Sequence, residues 1–141
     1  MDDGAREVLG WIARAVGLFY LLGGLFTIRA GRREAFLDDA IARIGGEAIN
    51  PVERLRRWSM MAIGLLTTAS GLLLILLSKA AVYAFLANAA WQGAYLVWAR
   101  RALPPDTPLA ALGRRRSTNA FIVWLVLTAL VMLLFQQGVL T

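Results

Sequence analysis

Residues 58 to 99 run on with a single charge, Lys79, and this run limits the possible folds more than anything else in the chain. One helix over those 42 positions would be about 63 Å long at 1.5 Å per residue, twice the roughly 30 Å hydrocarbon layer of a bilayer. The run must therefore double back. The sequence predicts a helical hairpin with its turn at Ser78 and Lys79, spans at residues 58–78 and 80–99, and a helix start for the first of these as early as Pro51.

Two more segments pass the same length test of about 20 apolar residues, 8–28 and 119–140. With 59% hydrophobic and only 17% charged residues in 141, a soluble core could not bury the apolar surface. The expectation is one all-α domain over residues 1–141, a polytopic membrane protein built as a four-transmembrane-helix bundle.

The connection between spans one and two carries Arg29, Arg32, Arg33, Arg43, Arg54, Arg56 and Arg57. That between spans three and four carries Arg100, Arg101, Arg114, Arg115 and Arg116. Short loops rich in Lys and Arg stay cytoplasmic, so both termini are expected outside. Trp11 and Tyr83 fall near the outer edge of this arrangement, Trp58 and Trp98 near the inner, where aromatic rings favour the headgroup layer. All basic residues but Lys79 are arginine, which points to a GC-rich genome and a bacterial inner membrane. The acidic start of the chain lacks the basic region of a signal peptide.

Within the first loop, Phe36, Leu37, Ala40, Ile41 and Ile44 recur at helical spacing while Arg33, Glu34, Asp38, Asp39 and Arg43 take the other side. This predicts a separate amphipathic helix over 32–44 lying in the interface, stopped by Gly45 and Gly46. Asn50, Pro51 and Glu53 then supply a cap, a proline at the first helical position and an acid at the third. In the second loop a Ser-Thr-Asn start at 117–119 is expected to open span four. Arg100, Arg101, Arg114, Arg115 and Arg116 are expected to meet anionic lipid headgroups.

The inventory removes most chemistry. Without histidine there is no imidazole base or haem ligand, and without cysteine no thiolate or disulfide. Asp38 and Asp39 point about 100° apart on a helix, unsuited to sharing one metal or proton. No phosphate loop follows a strand. The arginine-rich loops lack the aromatic interleaving of a nucleic-acid binder. The sequence suggests no enzyme, no cofactor, no metal site and no nucleic-acid partner.

What remains is polar content inside the spans. Arg14 sits about 9 Å inside the outer end of span one and shares a stripe with Gly10, Gly17, Leu21 and Gly24. It is read as a snorkelling anchor at a packing face, hydrogen-bonded by Gln136 or Gln137, or as a captor of an anionic ligand. Thr67, Thr68, Ser70, Asn88, Gln92 and Thr128 form a polar layer near mid-depth, with Asn88, Gln92 and Tyr95 on one inward face. Interhelical hydrogen bonding or a small polar site would each use such a layer. Two functions follow as expectations. The first is a non-catalytic subunit or accessory protein packing against another membrane protein or copies of itself. The second is a small oligomeric transporter or channel, holin-like pores included, lined by the Asn88 and Gln92 face.

Overall fold

The computed structural model describes residues 3–45 and 50–141, with the backbone alone at Asp38. The described residues form four helices and no strand: α1 Asp3–Gly45, α2 Pro51–Ile75, α3 Ala80–Ala102 and α4 Pro108–Gln136. Consecutive helices pack on one another, α1 on α2, α2 on α3 and α3 on α4. Three of them, α1, α2 and α4, are long and apolar enough to cross a membrane. Helix α3 has the length, at 23 residues, but carries Asn88 and Gln92 through its middle.

The helix ends follow local chemistry. Asn50 accepts from the Val52 N–H at 3.0 Å with Pro51 at the first helical position, as the sequence predicts. Glu53 pairs instead with Arg56, at 2.8 Å, one turn on. Helix α4 opens at Thr107, which accepts from the Ala110 N–H at 3.1 Å ahead of Pro108. This corrects the expected start at 117–119. Ser117 and Thr118 donate to the carbonyls of Gly113 and Arg114, four residues back, and so lie inside the helix rather than capping it.

Helix α1 brings the second correction. The expected interfacial helix over 32–44 is helical but not separate, since α1 continues unbroken through residues 29–31. The arginines there end the apolar stretch, but neither they nor Gly31 break an α-helix, and no proline is present. Gly46, expected to help stop this helix, lies outside the described residues.

Glycines set the α1·α2 contact. A Cβ on Gly17 would meet the Gly71 carbonyl oxygen at 2.7 Å, one on Gly24 the Gly64 oxygen at 2.9 Å, and one on Gly64 the Ile28 side chain at 2.8 Å. The two antiparallel backbones touch wherever the seven-residue glycine spacings of both helices coincide. Farther along, Arg57 meets Asp39 at 3.0 Å, so the pairing continues toward the end of α1.

The other helices join through aromatic rings. Tyr20 of α1 packs edge-on against Phe85 of α3 and Trp124 of α4, with ring centroids 5.7 and 4.7 Å away, and Phe85 stacks on Trp124 at 4.8 Å. The Trp124 indole N–H donates to the Phe85 carbonyl at 3.2 Å, giving the buried ring a polar partner.

At the end of the bundle holding the start of α1, helices α2 and α4 close in the same way. Leu77 N–H bonds to Leu74 O and Ser78 N–H to Leu73 O. Gly138 N–H bonds to Phe135 O and Val139 N–H to Leu134 O. This is the pair of bonds that closes a helix through a left-handed residue, here Leu77 at φ 53° and Gly138 at φ 69°. The hairpin turn thus spans Leu76–Lys79, two residues earlier than Ser78 and Lys79 alone. The last helix stops at Gln136, short of the expected 140. The tail turns back over the hairpin, Lys79 N–H donating to Thr141 O at 3.1 Å and Thr141 N–H to Leu77 O at 2.7 Å. Val139 and Leu140 are buried beneath this contact.

Candidate functional site

The expected mid-depth layer resolves into separate contacts. Asn88 is fully buried, at 0% exposure. Its amide donates to the Thr67 hydroxyl at 2.9 Å, and its carbonyl oxygen accepts from the Gln92 amide at 3.2 Å. Thr67, Asn88 and Gln92 therefore form one chain between α2 and α3. Thr68 does not join it. One position along α2, it faces α1, where it lies against Gly24 and donates to the Gly64 carbonyl at 2.8 Å. Ser70 donates to Leu66 O at 2.7 Å and Thr128 to Trp124 O at 2.8 Å, each within its own helix. Among the described residues no buried side-chain nitrogen or oxygen lacks a partner.

Arg14 also departs from the expected place. The buried stripe of α1 runs through Gly10, Ala13, Gly17, Tyr20 and Gly24, and Arg14 is exposed at its edge. Its guanidinium stands over the Trp11 ring, 5.2 Å from the centroid, a cation–π contact that holds the charge without a hydrogen bond. Gln136 and Gln137 are exposed at the end of α4, and neither bonds to Arg14. The cause is angular. Helical residues 10, 14 and 17 spread over about 60°, and the partner helix takes only the glycine edge of that sector.

Beside Arg14 opens a cleft of about 310 Å³, which Arg6, Trp11, Leu77, Gly138 and Val139 also line. The closed ends of α2 and α4 build one wall and the first turns of α1 the other. The sequence points to Arg14 but not to Arg6, because nothing in it shows that the tail folds back. The only available signal was Gly138 just past an apolar helix, the usual mark of a helix stop.

At the opposite end the five basic residues expected at headgroups divide. Arg114 donates to the carbonyls of Leu103 and Ala99, the latter at 3.3 Å; it partners the Leu103 oxygen at the end of α3, while the Ala99 oxygen already accepts from the Leu103 N–H at 3.0 Å. Arg100, Arg101, Arg115 and Arg116 are exposed. Among the described residues no group of three acidic side chains gathers where a metal ion could be held.

One further surface stands out. Phe36, Leu37, Ile41 and Ile44 are exposed along the far part of α1, Phe36 at 74% and Ile44 at 89%. No protein-family model, curated protein or solved structure matches the chain.

Proposed function

We propose that this chain is a non-catalytic integral membrane protein that works by packing against another membrane protein or further copies of itself. In this reading all four helices span a bacterial inner membrane, both termini lie outside, and the arginine-rich ends face the cytoplasm. Exposed Trp11, Tyr83 and Trp58 near the two ends support that placement.

The observation that carries the reading is the bare apolar face of α1 at Phe36, Leu37, Ile41 and Ile44. An amphipathic helix hinged at residue 29 could lay this face on lipid. An unbroken α1 instead carries it away from the apolar span 8–28, so that Ile44 stands about 24 Å beyond residue 28 along the axis. There the face meets water unless protein covers it.

Purification in mild detergent from native membranes should recover a stoichiometric partner or a defined oligomer, and an Ile41→Asp/Ile44→Asp variant should lose it. A wild-type protein that runs as a clean monomer with nothing bound sinks the proposal. An oligomeric pore is less well supported, because Asn88 spends its hydrogen bonds on Thr67 and Gln92. Solute flux into liposomes above the protein-free level, abolished by Asn88→Leu, would reverse that preference.

A further inference from the structure

We propose that the cleft between the first turns of α1 and the closed ends of α2 and α4 binds a phosphate group, that of an anionic phospholipid in the outer leaflet. The inference rests on α1 spanning the membrane and is independent of any protein partner.

Two guanidinium groups, Arg6 and Arg14, line the cleft. Among the described residues neither takes part in an ion pair or donates a hydrogen bond. Glu7 also lines the cleft without pairing to either, which leaves a net positive site. Each guanidinium has a backing: Arg14 rests over the Trp11 ring at 5.2 Å, and Arg6 lies against Gly138, 3.0 Å from where a Cβ would stand. Both keep their N–H donors unspent at the cleft. A guanidinium fork matches phosphate oxygens two at a time, and both forks line this one cleft.

Depth selects the source of the phosphate. Arg6 precedes the apolar span, and the Arg14 guanidinium reaches back over the Trp11 ring near the outer start of that span, so both sets of donors lie at headgroup level. Leu77 and Val139 give the same cleft an apolar wall. A lipid phosphate with its glycerol and first methylenes meets both the donors and this apolar wall, whereas a free phosphate ion would leave Leu77 and Val139 unmatched. A purely structural use is the competing account, with Arg6 complementing the negative end of α4.

Trp11 reports on the site directly. The full chain is reconstituted in phosphatidylcholine vesicles doped with brominated phosphatidylglycerol or with brominated phosphatidylcholine, and quenching of the Trp11 component is taken as wild type minus Trp11→Phe. The expected result is an apparent affinity for phosphatidylglycerol at Trp11 about tenfold above that for phosphatidylcholine. It falls to parity in Arg6→Gln/Arg14→Gln and is unchanged in Arg115→Gln/Arg116→Gln at the other end. Should circular dichroism show the double variant unfolded, Arg14→Gln alone decides, since that side chain is exposed and makes no hydrogen bond or ion pair among the described residues. Equal quenching by the two lipids in the wild type overturns the proposal, as does an excess that survives loss of the arginines. Abolition of the excess by millimolar inorganic phosphate assigns the cleft to a soluble anion and overturns the lipid source.

Discussion

Gly17 and Gly71 stand so close across the α1·α2 contact that a Cβ on the first would lie 2.7 Å from the carbonyl oxygen of the second. The obstacle is backbone, which cannot rotate away as a side-chain tip can. Gly17→Ala should therefore destabilise the protein by about 2 kcal/mol, the range of an overpacked core. Gly23→Ala, where a Cβ meets nothing within 4 Å, should be neutral or stabilising by about 0.5 kcal/mol. Thermal or denaturant unfolding in detergent checks the pair. Equal effects would mean that α1 and α2 do not touch at these glycines.

The Thr67–Asn88 bond predicts a specific coupling. In a double-mutant cycle, Thr67→Val and Asn88→Ala should interact by about 0.6 kcal/mol, the average for such bonds in membrane proteins. Thr68→Val and Asn88→Ala should be additive, because Thr68 bonds to Gly64 on the other side of α2. Coupling at Thr68 instead of Thr67 would require α2 to be rotated by one residue.

These two predictions separate what the residues made legible from what they did not. Four helices, the hairpin near Ser78 and the Asn50–Pro51 cap follow from hydropathy and local chemistry, because those signals act within one segment. The inward face of Asn88 was also legible. That Thr67 rather than Thr68 meets it was not, since adjacent residues differ by 100° and only the partner helix decides between them. The continuity of α1 was hidden for a different reason. Charge marks where lipid burial must end, but Arg29, Arg32 and Arg33 are good helix formers and leave the backbone free to continue. The Arg6 side of the cleft depends on the returning tail, a contact between chain ends that no local pattern encodes.

Gly138 should resist substitution because of its backbone. Its φ of 69° disfavours any Cβ, while the nearby tip of Arg6 can swing aside. Gly138→Ala should cost about 1 kcal/mol in unfolding free energy from the backbone alone. Gly113→Ala, where a Cβ meets nothing within 4 Å, should cost nothing. A tolerant Gly138 would mean that the tail does not turn at this residue.

Arg114 should behave unlike its neighbours. Arg114→Gln removes the donor that partners the Leu103 carbonyl and should destabilise by about 1 kcal/mol. Arg115→Gln and Arg116→Gln, both exposed, should change stability by less than about 0.5 kcal/mol. Hydrogen exchange at the end of α3 should quicken in the first variant only, and a uniform response across the three would refute the distinction.

The unbroken α1 has a mechanical side. With no joint between Arg14 and Ile44, the helix moves as one rod, seated on α2 at Gly17, at Gly24 and at Asp39. Whatever grips one extremity of this rod also aims the other.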